Sequence, residues 1–346
     1  MKPSFRPTTP ADSDSLREFL ARSYNASPDA AFLRPEVLAW KYWDPRNDWD
    51  GPRSYVLETQ SEIVAHGGIW PVAIGEGSNA ARGCQVIDWA ASRESPGAGI
   101  NIMRKIGGML DFIQAIGGTE MTRRVLPACG FTERAHAWRG ARPLRPVRQI
   151  LRHQSRNWKL APRLVRNWTW SRAPKSVLAP EWSVETIHPE ALSEYARATR
   201  RPPSLFSART PEFFEFYLRC PVGRVTLHQV RKGGAPQGHF LLLTLRGQAR
   251  LAGMWLCEAT PENWYATFLL AQRAAISFTD VDELVAAGTR GVSEEAAIAA
   301  GLRITGDVPV FLLGSSRRLS LPPDYQFQLC DDDEAFLDSG GPDYLT

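Results

Sequence analysis

The stretch Ile87-Asp-Trp-Ala-Ala-Ser-Arg93-Glu-Ser-Pro-Gly97-Ala-Gly99-Ile100 joins an apolar strand to a helix through a glycine-containing loop. Successive backbone amides in such a loop, followed by a helix N-terminus, form a positive hollow that suits a phosphate group. Gly97 and Gly99 lack Cβ atoms and allow close approach of a pyrophosphate, while Pro96 stiffens the entry. The alternative is a turn that only caps the helix.

The layout around this stretch occurs twice in the chain. Residues 84–131 predict a strand, the loop, a helix, a strand at 112–116, a Gly-Gly-Thr turn and a short helix ending at Gly130-Phe131. Residues 250–304 predict the same order, with a strand at 281–286, the turn Ala287-Gly-Thr289 and a helix ending near Gly301. Two copies of this size indicate two similar folding units rather than a solenoid.

Apolar spacing outside the two copies predicts further elements. We expect strands at 3–8, 54–58, 63–74, 182–187, 225–231, 240–246 and 308–313. We expect helices from Thr9 or Asp12 to Tyr24, and over 33–43, 190–199 and 211–218, with a hairpin turn at 75–79. The fold class is therefore α+β, with mixed, mainly antiparallel sheets flanked by helices.

The bulk properties are those of a globular protein of 346 residues, 43% apolar and 23% charged. No apolar run reaches the roughly 20 residues that span a bilayer, and the N-terminus lacks the apolar core of a signal peptide. Five scattered cysteines without a Cys-x-x-Cys pair indicate neither a disulfide framework nor a zinc site. We expect a cytoplasmic protein that needs no metal.

The charge distribution is uneven. No Asp or Glu occurs from Arg134 to Pro180, a stretch with twelve Lys and Arg residues and interleaved tryptophans. The rest of the chain carries 29 basic and 37 acidic residues. Three explanations stay open: an anionic membrane surface bound through 139–175, a nucleic acid, or an internal strap over the acidic halves. Nucleic acid is the weakest of the three, and a membrane contact would make the protein peripheral to the inner membrane face.

The element order, residues 87–100 and Gly130-Phe131 together resemble the GNAT superfamily of N-acyltransferases. The stretch Trp40-Lys-Tyr-Trp-Asp-Pro45 is similar to GNAT proteins found near bacterial polysaccharide-biosynthesis genes. The resemblance implies two GNAT-like domains, over 1–140 and 181–346, joined by a basic linker over 141–180. It also implies acetyl- or another acyl-coenzyme A as co-substrate and an amine as acceptor, for example on an amino sugar or cell-envelope precursor. The implied coenzyme-binding residues are Arg93, Ser95, Pro96, Gly97, Ala98, Gly99 and Ile100.

The second copy differs at the equivalent loop. Residues 257–264 contain no glycine, and Glu258 and Glu262 would repel a pyrophosphate. Thr260 is expected to be an ordinary helix N-cap, with Pro261 in the first helical position. We therefore expect the second domain to shape or cover the acceptor site rather than to bind coenzyme A.

Acyl transfer to an amine needs a base for the amine and a hydrogen bond to the thioester oxygen. The resemblance makes Asp88, on the fourth strand, a candidate base, and Glu120 is a second candidate. Their alternative roles are an ion pair for Asp88 and a favourable interaction with a helix dipole for Glu120. Four further residues are candidates for an acceptor pocket, with core packing as the alternative: Trp40, Tyr42, His66 and Trp70.

The tyrosine that usually serves the family as general acid is absent. Its place is taken by Leu126 in the first copy and Ala297 in the second, so Tyr42 or Tyr55 would have to replace it. Two other functions therefore stay open: a transferase that uses aminoacyl-tRNA to build peptidoglycan bridges, and a GNAT-fold protein that binds without catalysing. The acidic run at 330–336 lacks the spacing of a calcium loop and is expected to be solvated.

Overall fold

The computed structural model describes residues 3–60, 62–74, 81–152, 160–172, 178–192, 207, 210–314, 325–338 and 344–346. The expected turn at 75–79 and most of the expected helix at 190–199 lie outside the described residues.

The strands closely follow the apolar patterns of the sequence. Their bounds are β1 Ser4–Pro7, β2 Ser54–Thr59, β3 Glu62–Ile74, β4 Ala81–Ala91, β5 Phe112–Ile116, β6 Thr132–Pro143, β7 Trp182–Ile187, β8 Arg224–Lys232, β9 Ala235–Leu245, β10 Gln248–Leu256, β11 Glu283–Thr289 and β12 Arg303–Gly314. One expectation was wrong in detail: residues 287–289, expected to form a turn, belong to β11.

The helices of the described residues have the following bounds: α1 Ser13–Tyr24, α2 Pro35–Tyr42, α3 Ala98–Gly107, α4 Glu120–Val125, α5 Pro146–Arg152, α6 Leu160–Ser171, α7 Pro211–Leu218, α8 Pro261–Ser277 and α9 Val292–Ala299. Proline at the first position of α2, α5, α7 and α8 agrees with the preference for a residue that lacks an amide hydrogen there.

The sheet is continuous and repeats its strand order. The order is β1-β2-β3-β4-β5-β12-β6-β11-β10-β9-β8-β7, and among the described strands only β4–β5 and β10–β11 pair in parallel. The first half (β1–β6) and the second half (β7–β12) thus have the same internal order. Each half gives its last strand to the other, since β12 pairs with β5 and β6 pairs with β11. The α+β fold class is confirmed, whereas the domain boundaries stay a prediction.

Helices cover both faces of the first half because β2 and β3 alternate their side chains. Tyr55 and Leu57 pack with Ile102 and Ile106 of α3 on one face. Val56 faces the opposite way and joins the core formed with α1 and α2. The sheet therefore separates the N-terminus of α3 from the end of α2.

A C-terminal stretch, the crossing segment (residues 325–338), contacts both halves. Trp70 of β3 donates from Nε1 to the carbonyl oxygen of Cys330 at 2.8 Å, and Gln114 of β5 donates to that of Asp331 at 3.0 Å. In the second half, Thr289 donates to the carbonyl oxygen of Tyr325 at 2.7 Å. The expectation of a solvated acidic tail was wrong, because Asp331 and Asp332 are buried.

The basic linker binds largely to the protein itself. Arg148 and Arg152 of α5 both pair with the fully buried Asp282, at 2.7 and 2.9 Å. Arg163 of α6 donates to the carbonyl oxygen of Thr346 at 2.6 Å. These contacts support an internal strap, and binding to a membrane surface or a nucleic acid stays a prediction.

Two further findings concern the chain as described. None of its helices is both long and apolar enough to cross a membrane. None of the five cysteines forms a disulfide bond there.

Candidate functional site

Strand β4 carries a β-bulge where Asp88 and Trp89 together stand opposite Gly67 of β3. Asp88 has a φ of 48°, in the left-handed region that non-glycine residues rarely adopt. Its carbonyl oxygen accepts a hydrogen bond from His66 Nδ1 at 2.8 Å, and that of Trp89 accepts one from the Tyr24 hydroxyl at 3.3 Å. Side chains therefore hold a distortion that leaves backbone groups outside the β-ladder.

The Asp88 carboxylate is buried in an ion pair. Lys41 Nζ and the Tyr42 hydroxyl both donate to its Oδ2 atom, and the side chains of Lys41 and Asp88 are 3% and 7% exposed. Desolvation raises the pKa of Asp88, but the charge of Lys41 and the two hydrogen bonds outweigh it and hold this pKa below its ordinary value. Asp88 is thus a charged partner of Lys41 and a weak proton acceptor.

Local sequence explains how this pair forms. Lys41 and Tyr42 are the last two residues of α2, which directs both toward β4. Gly68 of β3 gives room for the tyrosine ring, since a Cβ there would lie 2.8 Å from Tyr42 Cε1. Burial and the charge of Asp88 keep the pKa of Tyr42 well above its ordinary value, so its hydroxyl stays a donor.

His66 is the end of a buried hydrogen-bond chain. Its Nδ1 faces a carbonyl oxygen, which can only accept, so Nδ1 carries the proton and Nε2 accepts from Ser54 Oγ at 2.9 Å. Thr8 in turn donates to Ser54 Oγ at 2.7 Å. Desolvation lowers the pKa of His66 to about 4 and keeps the ring neutral. Since His66 is fully buried, it supports the bulge rather than lining an acceptor pocket.

Trp40 and Trp70 also lie in the core. Phe336 of the crossing segment packs against both rings, with centroids 4.8 Å apart, and Phe216 of α7 stacks on Trp40 at 5.1 Å. Their exposed fractions are 1% and 0%, so neither presents a face to a substrate. Core packing, the alternative at the sequence level, is what the structure shows.

Glu120 is not brought to the bulge. It lies in the first turn of α4, where its carboxylate pairs with Arg124 one helical turn later. Both side chains are at least three-quarters exposed. No contact joins Glu120 to Asp88 within the described residues, so the structure offers no support for Glu120 as a base.

The loop before α3 leaves several backbone amides without a partner. The Ala98 amide, which we expected to be free, donates to the carbonyl oxygen of Ser95 at 3.1 Å. In the part of the chain that the structure describes, the amides of Gly97, Gly99 and Ile100 make no hydrogen bond. Gly97 has a φ of 81°, and nothing lies within 4 Å of a Cβ placed there. The hollow in front of α3 is therefore open.

Side chains connect this hollow to the bulge and to solvent. Trp89 donates from Nε1 to the carbonyl oxygen of Gly99 at 3.0 Å, which fixes α3 to the bulged strand. Arg93, Pro96 and Gly97 are exposed, while Ser95 is half-buried. Arg93 forms no ion pair with any described residue, so its charge is available to an anion.

The equivalent loop of the second half is closed by its own side chains. As predicted, Thr260 caps α8, accepting from the Asn263 amide at 3.2 Å, and Pro261 occupies the first helical position. Asn263 donates to the carbonyl oxygen of Glu258 at 2.8 Å. A pyrophosphate would have to displace these bonds and face the carboxylates of Glu258 and Glu262.

The second half has a β-bulge too, in β10, and a side chain occupies the backbone groups beside it. Ala252 is the extra residue of β10 opposite β9. The side-chain amide of Gln328, in the crossing segment, accepts from the Met254 amide and donates to the Met254 carbonyl oxygen, each at 2.7 Å. Gln328 therefore takes the place that a bound ligand's amide would need.

Sequence reasoning missed three residues around the first bulge: Lys41, Tyr24 and Asp333. The lysine and tyrosine occur in an aromatic helix and an amphipathic helix, and neither pattern distinguishes them from packing or surface residues. Asp333 was hidden in an acidic run. Its place near the bulge follows from Phe336, three residues later, which packs on Trp40 and Trp70.

No protein-family model and no curated protein sequence matches the chain. Solved structures do. An N-myristoyltransferase of Saccharomyces cerevisiae, with myristoyl-CoA and inhibitors bound, matches with a TM-score of 0.59 and 12% identity, over 90% of this chain and 80% of that one. A GCN5-related N-acetyltransferase from Anabaena variabilis matches with a TM-score of 0.57 and 11% identity, over 90% of this chain and 73% of that one. A candidate acetyltransferase from Pyrococcus horikoshii matches with a TM-score of 0.54 and 11% identity, over 99% of this chain and 96% of that one. At such low identity these matches show the fold, which is that of the GNAT acyltransferases.

Proposed function

We propose that this protein is an N-acyltransferase that moves an acyl group from acyl-coenzyme A to an amine, with its site in the first half. One observation carries the proposal. The free amides of Gly97, Gly99 and Ile100 open onto the same strand that carries the bulge at Asp88. An anion cradle and a distorted strand beside titratable groups thus share β4, with the cradle on the α3 face of the sheet and the partners of Asp88 on the α2 face.

The coenzyme would enter between two diverging strands. β4 pairs with β5 only from Gly83 to Gln85, although β4 continues to Ala91. Beyond that point the edge of β4 that faces β5 is available to the amide groups of a pantetheine arm. The pyrophosphate would then lie at the N-terminus of α3, where the free amides, the helix dipole and Arg93 all favour negative charge.

The bulge is suited to the acyl group. As the amine attacks, the thioester carbonyl becomes an oxyanion, which a backbone amide outside the ladder can stabilise. The coenzyme thiolate is a tolerable leaving group, since an ordinary thiol has a pKa of about 8.5, so Leu126 in the family's tyrosine position does not prevent the reaction. Two phenols contact the bulge: Tyr42 donates to the Asp88 carboxylate, and the Tyr24 hydroxyl donates to the Trp89 carbonyl oxygen.

For the acceptor we propose an amino sugar or an amine of a cell-envelope precursor. This part of the proposal rests on the sequence resemblance of residues 40–45 to GNAT proteins near polysaccharide-biosynthesis genes. The acyl group is proposed to be acetyl, with longer chains as the alternative because one similar structure contains myristoyl-CoA.

The test compares two glycine variants by calorimetry with acetyl-CoA. Gly97→Glu should abolish binding, since it places a carboxylate in the cradle and a side chain at positive φ. Gly234→Glu is the matched control: Gly234 has the same φ of 81° and the same open surroundings, but lies in the β8–β9 turn. It should bind as the wild type does.

The same titrations, together with a thiol-release assay, distinguish this proposal from the two other functions left open by the sequence. Absence of acetyl-CoA and myristoyl-CoA binding by the wild type would overturn the proposal. Salt-sensitive binding of aminoacyl-tRNA instead would identify the tRNA-dependent transferase. Binding of acyl-CoA without thiol release, over a panel of amines that includes glucosamine, would identify a non-catalytic binding protein.

A further inference from the structure

The crossing segment fixes a short acidic turn against the first half. The turn is a 3₁₀ helix at Asp333–Ala335. It is anchored on one side by the Trp70 hydrogen bond to Cys330 and on the other by Phe336, which packs on Trp40 and Trp70. Trp40 directly precedes Lys41 and Tyr42, the two partners of Asp88. The turn therefore lies beside the buried ion pair of the bulge.

Three consecutive aspartates of this segment have three different environments. The Asp331 carboxylate accepts a hydrogen bond from Ser207 Oγ at 2.7 Å and one from the backbone amide of Gln328 at 3.0 Å. Asp332 is buried and accepts from the Asp333 amide at 2.7 Å, and desolvation followed by the charge of Asp333 keeps its pKa well above the ordinary value. Asp333 is half-buried and so the most accessible of the three.

From this placement we infer that Asp333 is the general base of the first half's site, supplied by the C-terminal segment of the chain. The inference rests on the proposed function. In the reaction the acceptor nitrogen forms a bond to the acyl carbon and its proton passes to the Asp333 carboxylate. The carbon–sulfur bond breaks and the thiolate leaves with the electron pair. The proton on Asp333 then passes to that thiolate or to solvent.

Asp333 meets the requirements of a base better than Asp88 does. Desolvation and the negative charge of Asp88 raise the pKa of Asp333 to about 6, against the opposing effects of Asp332 and Lys41. At pH 7 to 8 the group is therefore ionised yet has a useful proton affinity. Asp88, by contrast, has both partners on one oxygen and a lowered pKa, which makes it a positioning residue for Lys41 and Tyr42.

The charged and titratable groups that act on Asp333 come from three elements of the first half and from its own segment. They are Tyr24 of α1, Lys41 and Tyr42 of α2, Asp88 of β4, and Asp332 and Glu334 of its own segment. The phenols remain neutral through the range of an assay, because desolvation, followed by the charge of Asp88, raises the pKa values of Tyr24 and Tyr42 well above 10. Asp333 is thus the group whose charge changes near pH 6.

The experiment measures thiol release from acetyl-CoA with the amine panel, from pH 5 to 9. In the wild type, kcat should rise with pH through about 6. Asp333→Asn should lower kcat by about 10²- to 10⁴-fold and remove this rise, while acetyl-CoA affinity is unchanged. Glu334→Gln is the control: it changes the adjacent carboxylate, which pairs with Arg139, and should keep the rate and the rise with pH. The midpoint of that rise should move only to slightly lower pH, because the charge of Glu334 contributes to the raised pKa of Asp333.

A melting curve distinguishes loss of a base from loss of the fold. Because the pKa of Asp333 is raised, its ionisation opposes folding, and this cost grows as pH rises from about 4 to 6 and is then constant. Asp333→Asn should therefore melt at or above the wild-type temperature at pH 8.

The outcomes separate the two proposals. Full activity of Asp333→Asn with an unchanged pH profile would overturn the base and leave the transferase standing. Acetyl-CoA binding by the wild type without thiol release from any amine would also overturn it. Absence of acyl-CoA binding would end both proposals.

Discussion

The two strand-to-helix junctions of this protein occupy corresponding places in the two halves and have opposite surroundings. At the first, between β4 and α3, Gly97 has no side chain and three amides remain open. At the second, between β10 and α8, the Thr260 hydroxyl accepts from the Asn263 backbone amide, Pro261 has no amide hydrogen, and the Asn263 side chain donates to the carbonyl oxygen of Glu258. A helix dipole is present at both, so access to the amides, rather than the dipole, distinguishes the proposed ligand site from the capped helix.

The two β-bulges also differ in the side chains that surround them. Beside the first stand Asp88, Lys41 and the half-buried Asp333, whereas Gln328 fills the second with a neutral amide. A single stretch, the crossing segment, thus closes one site and supplies charge to the other. The halves differ in what covers the sheet but share the same strand order.

The largest effect expected from this contrast is on stability, at the charged pair of the first half. Lys41→Met keeps the length of the side chain but leaves the Asp88 carboxylate buried without a counter-charge. We expect the free energy of unfolding to fall by about 3–5 kcal/mol, as for other broken buried pairs. Chemical denaturation of the purified variant measures it.

The same substitution in the second half is the control. Lys232 pairs with Glu262 at 2.6 Å, with side chains 35% and 60% exposed. Lys232→Met should cost no more than about 1 kcal/mol. Equal losses at the two lysines would contradict the assignment of Lys41 to a desolvated pair.

A medium effect is expected at the closed bulge. Gln328→Leu removes both hydrogen bonds to Met254 and leaves a buried amide and carbonyl unsatisfied, which should cost about 1–3 kcal/mol. The calorimetric stoichiometry for acetyl-CoA should remain one per chain, because the Thr260 cap still closes the loop. A second binding event in this variant would show that Gln328 alone keeps the second half from binding.

The smallest effect is expected at the cap. Thr260→Ala removes the bond to the Asn263 amide and should lower the free energy of unfolding by about 1 kcal/mol. Acetyl-CoA binding should not change, since the loop before α3 is untouched. Weaker binding would place the coenzyme, or part of it, against the second half.

Much of this architecture could be predicted from the sequence. The alternation of apolar residues gave β5, β7 and α7 with the bounds that the structure has, and Thr260-Pro261 marked the start of α8. These features depend on neighbouring residues only, through side-chain periodicity and capping. The loop at 93–100 could be recognised for the same reason, because a left-handed glycine before a helix is a local requirement.

The functional side chains were harder to predict. Trp40, His66 and Trp70 carry the residue types of a binding pocket, yet all three are buried, because their strand and helix face the crossing segment. Asp88 was identified at the sequence level, but its partner Lys41 lies 47 positions away in the chain. A pairing of that kind depends on packing between elements and leaves no periodic pattern.

The sequence by itself determined the two copies of strand, loop and helix, their α+β class and the glycine cradle of the first copy, since each follows from contacts between residues near one another in the chain. Only the tertiary structure decided that the halves exchange β6 and β12, that residues 325–338 contact both halves, and that Phe336 of this segment packs on Trp40, next to the partners of Asp88. Those arrangements place residues more than a hundred positions apart in contact, and their free energy comes from burial and charge that exist only once the sheet is complete.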